Sequence, residues 1–435
     1  MRRTIRPRGA LDASVTVPGS KSLTNRALLV AALARGRSRL VNALDSDDTR
    51  AMRGALAALG VRVAEADVHG VISVEGSAGR FPVPRASLDV ANAGTAMRFL
   101  AAAVALGEGD YVLDGNARMR ERPIGDLVAA LRTLGARVDC LAAEGFPPIR
   151  VRGPGFRQKE VKLRADTSSQ FVSAVLLAAP ASGRALTVEI EGAVLASPSY
   201  VELTLEVVAA FGARAGRTGP RTFSVEPGPG YSAREYAIEG DHSAASYFLA
   251  APAIAGGRVV VRGLRGDSRQ GDAGFSRLLE AMGCRVTLSP DSVAVERTGP
   301  LRAIDADLRD MPDVAMTLAA VAAFAKGTTR VRGVPNLRVK ESDRIRAVCA
   351  ELARLGIRAT EEPDGFAIEG GEPRGAEIET YDDHRIAMSF AIIGLAVPGV
   401  SIRDPGCVAK TFPDFFDRLD ALSAPGAAPS AAAGP

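Results

Sequence analysis

A chain of 435 residues with 47% hydrophobic residues is long enough for two or three domains with sizeable cores. Its net charge of +4 is mildly basic, but Trp is absent and aromatic residues make up only 5%, which disfavours nucleic-acid binding through base stacking. Four widely spaced cysteines and only three histidines argue against a zinc site and against a disulfide framework.

The chain repeats one structural phrase six times. An alanine-rich helix is followed by a small turn and a β-branched strand, with copies beginning near residues 26, 98, 171, 247, 316 and 389. These helices are apolar on all sides, so they should be buried within a domain. The repeat length of roughly 72 residues accounts for nearly the whole chain.

A second phrase, as in "LAALGVRV" and "LEAMGCRV", predicts the end of an outer amphipathic helix, a glycine cap and a strand. The capping glycines are Gly60, Gly135, Gly212, Gly283 and Gly356. "FPDFFDRLDAL" predicts a sixth outer helix near the C-terminus. Six units fit two domains of three units each, which we place at residues 21–239 and at residues 1–20 plus 240–422. Residues 1–20 should supply a strand to the second domain, and the low-complexity tail 423–435 should be disordered.

The sequence offers no targeting or membrane-spanning signal. The basic N-terminus "MRRTIRPRGALDASV" lacks the apolar core of a signal peptide, and the apolar stretch "VAMTLAAVAAFA" is too short to cross a bilayer. We therefore expect a cytoplasmic protein with reduced cysteines.

Polar clusters begin all six buried helices. They read "GSKSLTNR", "NAGTAMR", "DTSSQF", "GDHSAASY", "DMPDVAM" and "YDDHRIAM". Helix capping explains their Ser, Thr, Asn and Asp residues, but it does not require Lys21, Arg26, Arg98 or Arg385. Helix starts gathered on one face of each domain would favour anions through their N–H groups and partial positive charge. We therefore expect a cleft between the domains that binds small ligands with phosphate or carboxylate groups.

The first cluster is not a nucleotide-binding P-loop, although Gly19-Ser20-Lys21-Ser22 is similar to the end of that motif. The P-loop requires glycine directly before the lysine and again five residues earlier, and these places hold Ser20 and Val15.

The second half adds carboxylates to the cations. In "NLRVKESDRIRA", the spacing of Lys340 and Arg344 predicts one shared helix face with Glu341 between them. "CVAKTFP" places Lys410 before the last helix, whereas "GNARMRERPIG" is typical of an exposed basic loop. A carboxylate among cations can act as a base, and a lysine near cations can exchange protons.

These motifs together resemble the 5-enolpyruvylshikimate-3-phosphate (EPSP) synthase family over essentially the whole chain. The matching stretches are "PGSKSLTNRALL", "NAGTAMR", "RMRERPIGDLV", "DTSSQF", "EGDHSAASYFLAA", "RVKESDRI", "YDDHRIAM" and "AKTFPDFF". The resemblance implies an α/β fold: a two-domain clamp in which each domain has three βαβαββ repeats around buried parallel helices, an inside-out α/β barrel. It also implies that the 5-hydroxyl of shikimate-3-phosphate attacks C2 of phosphoenolpyruvate, that C3 is protonated, and that phosphate leaves.

The resemblance further implies the ligand contacts, with no metal and no cofactor. Residues for shikimate-3-phosphate would be Lys21, Ser22, Arg26, Ser168, Ser169, Gln170, Ser197, Tyr200, Asp313, Asn336 and Lys340. Residues for phosphoenolpyruvate would be Lys21, Gly94, Arg118, Gln170, Arg344, Arg385 and Lys410. The candidate catalytic residues are Asp313 as the base for the 5-hydroxyl, and Glu341, Lys21 and His384 for proton transfer at C3 and the leaving phosphate. We expect a monomer with these two small-molecule substrates and neither a nucleic-acid nor a membrane partner.

Two departures from the family pattern and two alternatives remain. Phe99 follows Arg98 where many relatives have proline, and "SPSY" at 197–200 differs from the order in which proline directly precedes the tyrosine. A UDP-N-acetylglucosamine enolpyruvyl transferase would share the repeats, but it is typified by Lys-Asn at the first helix and by a cysteine in the second-unit loop. A non-catalytic anion-binding protein could use the same cleft, but it would not need Asp313 and Glu341 among the cations.

Overall fold

The computed structural model describes residues 1–67, 70–192 and 195–422. The tail predicted to be disordered, residues 423–435, lies outside the described residues. The chain forms two compact units, an N-terminal unit of Gly19–Glu239 and a C-terminal unit made of Met1–Pro18 and the chain from Gly240 onward.

Three small sheets build the N-terminal unit. Each has two parallel strands, followed by an antiparallel hairpin whose second strand pairs back onto the sheet. In order across each sheet, the strands are Glu235–Ala237, Arg35–Val41, Ile72–Ser77 and Arg62–Val63; Arg85–Asp89, Asp110–Asp114, Ile149–Arg152 and Arg137–Cys140; and Glu160–Arg164, Leu186–Glu191, Thr222–Val225 and Ala215–Gly219.

Two sheets of the C-terminal unit repeat this arrangement, the third has three strands, and the unit takes strands from the N-terminus of the chain. Leu11–Thr16 lies parallel to Gly257–Arg262, and Arg2–Thr4 lies antiparallel to Ser401–Arg403. Its sheets run Leu11–Thr16, Gly257–Arg262, Ser292–Arg297 and Cys284–Ser289; Asp305–Asp307, Thr328–Arg332, Gly365–Glu369 and Arg358–Glu362; and Glu377–Ile378, Ser401–Arg403 and Arg2–Thr4. The predicted contribution of residues 1–20 to this half of the chain is therefore present as two strands.

Six buried helices, called the core helices below, lie behind the polar clusters. They are Lys21–Leu33, Gly94–Val104, Gln170–Ala178, His242–Ala255, Ala315–Ala322 and His384–Ala391. Every residue of Ala315–Ala322 is buried, as the all-apolar pattern predicts. Three hydroxyls join the fourth, fifth and sixth core helices: Ser246 Oγ lies 3.0 Å from Thr317 Oγ1, which lies 3.3 Å from Ser389 Oγ. These bonds provide partners for the buried hydroxyls of Thr317 and Ser389, while Ser246 Oγ also donates to Ser243 O.

Outer helices cover the core helices. They are Asp47–Ala58, Gly125–Leu134, Ser199–Ala210, Phe275–Ala281, Arg344–Arg354 and Phe415–Asp420. The five glycines that follow the first five of these helices all have positive φ, between 81° and 111°, so the predicted glycine caps are confirmed. Short helical segments at Ala117–Arg120, Ala179–Ser182, Gly271–Gly274, Pro312–Val314, Pro335–Val339, Ile392–Leu395 and Pro405–Lys410 complete the described helices. Among residues 1–67, 70–192 and 195–422, no helix combines the length and apolar character that a bilayer crossing requires.

Candidate active site

Lys21 opens the first core helix and faces a buried acid. Its Nζ lies 3.2 Å from Asp48 Oδ2, and the two side chains are only 13% and 4% exposed. Asp48 sits in the first turn of the outer helix Asp47–Ala58, where Ser46 and Thr49 form a capping box. Lys21 is therefore not an ordinary solvated lysine, and its partner is an acid that sequence reasoning missed.

Arg26 is buried one turn further along the same core helix. Its Nε donates to Thr204 Oγ1 (2.8 Å), and its two terminal nitrogens donate to the backbone oxygens of Ser22 (2.9 Å) and Tyr200 (3.0 Å). The guanidinium carbon lies 5.1 Å from the centre of the Phe99 ring, a cation–π distance. Burial lowers the pKa of Arg26 to about 10, so it is still charged at neutral pH. Phe99, which departs from the family pattern, thus supports an arginine of the site.

The second core helix begins with a glycine that two arginines surround. Arg98 donates to Gly94 O (3.1 Å) and to Pro123 O (3.0 Å), while Arg122 donates to both the backbone oxygen and Oδ1 of Asn92, each at 3.1 Å. A Cβ atom on Gly94 would lie 2.7 Å from a guanidinium nitrogen of each arginine, so a side chain here would displace both guanidinium groups. The prediction that "GNARMRERPIG" is simply exposed is wrong for Arg122, which is buried because Asn92 binds its guanidinium.

Arg118 lies in the same loop and is more open to solvent. Its Nη1 lies 2.8 Å from Glu121 Oε2, and the Arg118 side chain is partly exposed. It follows the cap of the short helix Ala117–Arg120, where Asn116 Oδ1 accepts from Met119 N.

Hydroxyl groups gather before the third core helix. Ser168 Oγ accepts a hydrogen bond from Gln170 N (3.2 Å), and Ser169 is the buried residue that precedes the helix. Ser197 is also buried and has φ of +50°, a left-handed conformation that is unusual for a residue with a side chain. Tyr200 follows in the first turn of the outer helix Ser199–Ala210, with its ring 5.9 Å from the Arg26 guanidinium carbon.

One arginine organises the carboxylates of the C-terminal unit. Arg344 Nε and Nη2 donate to Asp383 at 2.8 and 3.1 Å, Nη2 also donates to Glu341 Oε2 at 2.8 Å, and Nη1 donates to Asp313 Oδ1 at 3.2 Å. Its side chain is 1% exposed. Burial on its own would lower the pKa of Arg344, but the charges of Asp383, Glu341 and Asp313 raise it above the ordinary arginine value. The guanidinium is therefore a permanent cation shared by three acids.

Asp313 joins this arginine to a second one. Its other oxygen, Oδ2, accepts from Arg385 Nη2 at 2.7 Å, and Arg385 Nη1 also donates to Tyr247 Oη at 3.3 Å. Tyr247 and Arg385 lie in the fourth and sixth core helices, while Asp313 lies in the turn that leads into the fifth. The starts of the three core helices therefore meet around one carboxylate.

The predicted helix face shared by Lys340 and Arg344 is wrong. The helix begins only at Arg344, because the Asp343 side chain caps it by accepting from Arg346 N (3.1 Å). Lys340 instead follows the turn Pro335–Val339, which also carries the buried Asn336.

The two remaining predicted residues also lie at the ends of short elements. His384 is fully buried as the first residue of the sixth core helix, with Nδ1 3.7 Å from Asp383 Oδ1. Lys410 is the buried last residue of the turn Pro405–Lys410.

The family model for EPSP synthase (3-phosphoshikimate 1-carboxyvinyltransferase) matches residues 5–419. The chain belongs to the EPSP synthase family. A 3-phosphoshikimate 1-carboxyvinyltransferase of Bordetella petrii is 49% identical over 419 residues, 93% of each chain. One from Aliivibrio salmonicida is 46% identical over 424 residues, 97% of this chain and 99% of the relative. A solved structure of EPSP synthase from Acinetobacter baumannii matches with a TM-score of 0.80 at 27% identity and covers 97% of this chain and 98% of that one.

Family membership confirms the predicted fold class and the predicted activity. The chain is a transferase of the shikimate pathway that moves the enolpyruvyl group of phosphoenolpyruvate to the 5-hydroxyl of shikimate-3-phosphate and releases phosphate. The alternative acceptor, UDP-N-acetylglucosamine, is not favoured by these relatives.

One buried acid near Asp313, Asp272, was not among the site residues predicted from the sequence. Asp272 is buried in the turn Gly271–Gly274, which packs against the turn that carries Asp313, and Ser243 Oγ donates to it. Burial and then the charge of Asp313 raise the pKa of Asp272 to about 7. In the sequence this acid stands in "RQGDAG", which is typical of a turn, so only its burial reveals it. Within the described residues, no group of three or more His, Cys, Asp or Glu residues is arranged to hold a metal ion.

Proposed function

We propose that residues at the starts of the core helices carry out the enolpyruvyl transfer, with Asp313 as the base that takes the proton from the 5-hydroxyl. The observation that supports this assignment most strongly is the placement of Asp313, with one oxygen on Arg344 and the other on Arg385. A carboxylate held at both oxygens has a fixed direction, and its side chain remains 17% exposed for a ligand to approach.

The two arginines make the availability of the Asp313 oxygens depend on the substrate. In the free enzyme the two guanidinium groups hold both carboxylate oxygens of Asp313 by hydrogen bonds. The carboxylate and phosphate of phosphoenolpyruvate would compete for the same guanidinium groups. As the arginines turn to this anion, the oxygens of Asp313 would become available to accept the proton of the hydroxyl.

Shikimate-3-phosphate would be held mainly by hydroxyls, amides and cations. We assign its phosphate to Ser168, Ser169, Ser197 and Lys340, and its ring and hydroxyls to Ser22, Arg26, Gln170, Tyr200, Asp313 and Asn336. The hydrogen bonds of Arg26 to the backbone oxygens of Ser22 and Tyr200 support this grouping, because they tie two of the assigned positions together.

Phosphoenolpyruvate would be held by cations near helix starts. We assign it to Lys21, Gly94, Arg118, Gln170, Arg344, Arg385 and Lys410. The close approach of guanidinium groups to Gly94 supports this assignment, since it places two cations at the start of a helix, where anions are favoured.

Protons at C3 and at the leaving phosphate would be moved by Glu341, Lys21 and His384. Glu341 and Asp313 accept from different nitrogens of the same guanidinium, so both acids are hydrogen-bonded to the charge of Arg344. Lys21 can donate a proton, and its Nζ lies 3.2 Å from Oδ2 of the buried Asp48.

Asp313→Asn tests the base assignment, because it keeps the shape of the side chain and removes the basicity. We expect binding of both substrates to persist while single-turnover chemistry falls by roughly 10²–10⁴-fold, the usual range for loss of a general base. Calorimetric binding and rapid-quench rates would be measured side by side. Asp305→Asn, at an exposed acid of the same repeat, is the matched control and should leave both unchanged. Near-normal chemistry in Asp313→Asn with only weaker binding would transfer the base role to Glu341 or His384.

We also propose that the two compact units are the two domains of a monomer that works in the cytoplasm. The free thiols of all four cysteines fit a reducing compartment. Light scattering on the purified chain tests the oligomeric state, since a mass of two or more chains would contradict the monomer.

A further inference from the structure

The turn before the sixth core helix holds two successive residues in a disfavoured backbone conformation. Tyr381 has φ of 56° and Asp382 has φ of 52°, both in the left-handed region. Residues with side chains persist in this region only where their surroundings enforce it, and they cluster at functional sites. The turn is closed by a hydrogen bond from Asp383 N to Thr380 O, at 2.8 Å.

Asp383, which follows this turn, accepts hydrogen bonds from both arginines of the carboxylate cluster. Asp383 accepts two hydrogen bonds from the Arg344 side chain, at 2.8 and 3.1 Å, and its Oδ1 also caps the helix by accepting from Arg385 N at 3.0 Å. A change in the turn would therefore disturb the guanidinium of Arg344 directly and would reach Arg385 through its backbone.

A buried acid on the outer helix Arg344–Arg354 anchors the turn. Glu351 is fully buried, its Oε1 accepts from Tyr381 Oη at 2.6 Å, and its Oε2 accepts from Glu379 N at 3.0 Å. Burial and the bond to Glu351 raise the pKa of Tyr381 to about 12, so the phenol remains a hydrogen-bond donor. The residue is still 38% exposed, which means that the hydroxyl rather than the ring provides the anchor.

We propose that Tyr381 and Glu351 are positioning residues for phosphoenolpyruvate: together they hold the strained turn that aims Arg344 and Arg385. One outer helix grips the turn at two points, through Arg344 at its first residue and through Glu351 two turns later. The proposal rests on the assignment of Arg344 and Arg385 to phosphoenolpyruvate in the proposed function.

Tyr381→Phe removes only the anchoring hydroxyl. Without it the turn relaxes towards an ordinary backbone conformation, and we expect KM for phosphoenolpyruvate to rise about tenfold, the scale of one lost hydrogen bond to a charged group. KM for shikimate-3-phosphate should rise by less, because Asp313 binds both arginines but most of the residues assigned to this substrate belong to the N-terminal unit. The matched control is Tyr111→Phe, which loses a hydroxyl bond of 2.9 Å to Val83 O in the N-terminal unit. It should change neither constant.

Glycine at position 382 supplies a rescue that an indirect loss of stability would not allow. Glycine adopts positive φ without a steric penalty, so Tyr381→Phe combined with Asp382→Gly should bring KM for phosphoenolpyruvate back to the value of Asp382→Gly alone. No recovery in the double variant would overturn the proposal, as would equal rises in both KM values or equal effects of Tyr381→Phe and Tyr111→Phe.

Arg385→Lys in the same assay tests separately whether Arg385 binds phosphoenolpyruvate, on which this proposal rests. If Arg385→Lys leaves KM for phosphoenolpyruvate unchanged, the assignment of Arg385 fails. If Arg385→Lys raises it and Tyr381→Phe does not, the assignment stands and the anchoring role of Tyr381 is refuted.

Discussion

Replacing Arg344 tests whether three carboxylates of the C-terminal unit depend on one buried cation. Arg344→Met keeps much of the side-chain volume but removes all the hydrogen bonds to Asp383, Glu341 and Asp313, which span 2.8 to 3.2 Å. Removing one partner of a buried ion pair typically costs about 3–5 kcal/mol, because the remaining charges lose their compensation. For a unit of this size, that corresponds to a fall in melting temperature of roughly 6–20 °C.

The measurement is scanning calorimetry at neutral pH, with two comparison variants. Arg344→Lys retains the charge but cannot bridge several carboxylates, so it should fall between wild type and Arg344→Met. Arg332→Met breaks an exposed pair with Asp305, whose side chains are 51% and 53% exposed, and it should cost less than about 1 kcal/mol. If Arg344→Met is no more destabilising than Arg332→Met, the three carboxylates do not depend on the Arg344 guanidinium.

Two further predictions concern buried acids. Lys21→Ala should lose a charge-assisted contact to the substrates of roughly 1.5–3 kcal/mol, and turnover should fall further if Lys21 moves a proton. Adding Asp48→Asn to this variant should restore its thermal stability but not its turnover. Wild-type turnover in Lys21→Ala would remove Lys21 from the mechanism. The raised pKa of Asp272 means that the folded state holds a proton that the unfolded state releases, so this group stabilises the fold at low pH and the contribution is lost as pH rises from about 4 to about 7. The free energy of unfolding in urea would be measured at pH 5 and pH 8 for wild type and Asp272→Asn, and its change between the two pH values should differ by about 1–3 kcal/mol between the two proteins. Burial lowers the pKa of His242 to about 4, so His242 has the opposite pH dependence, which is present in both proteins and cancels in the comparison. Parallel pH curves would show that Asp272 does not titrate in this range.

The repeats made much of the fold predictable. Helices that are apolar on all sides can only be buried, and a glycine after an amphipathic helix predicts a left-handed cap, so the core helices and the caps from Gly60 to Gly356 follow from sequence pattern alone. The use of the N-terminal segment in the second half also followed from counting repeats, since the first repeat begins only at Lys21.

The partners of the site residues could not be predicted in the same way. Asp48, Asp272 and Glu351 are ordinary in local sequence, because an acid near a helix start or in a turn has a sufficient local explanation. Their importance comes from burial against residues distant in the chain, as in the contact of Glu351 with Tyr381. Periodicity carries no information on such contacts.

Local spacing also misled in one place. The i, i+4 interval between Lys340 and Arg344 favours a shared helix face only if a helix spans both residues. The cap by Asp343 starts the helix after Lys340 and leaves that residue in the preceding turn. The capping hydrogen bond of Asp343 therefore determines that Lys340 and Arg344 do not share a helix face.

Phosphate release from phosphoenolpyruvate is the measurement that tests the central claim most directly. It would be followed for the wild-type chain with shikimate-3-phosphate and with UDP-N-acetylglucosamine as acceptor, and for Asp313→Asn with shikimate-3-phosphate. We predict rapid release with shikimate-3-phosphate, none with UDP-N-acetylglucosamine, and release slowed by roughly 10²–10⁴-fold in Asp313→Asn. Release that requires UDP-N-acetylglucosamine, or that is unchanged in Asp313→Asn, would contradict the account.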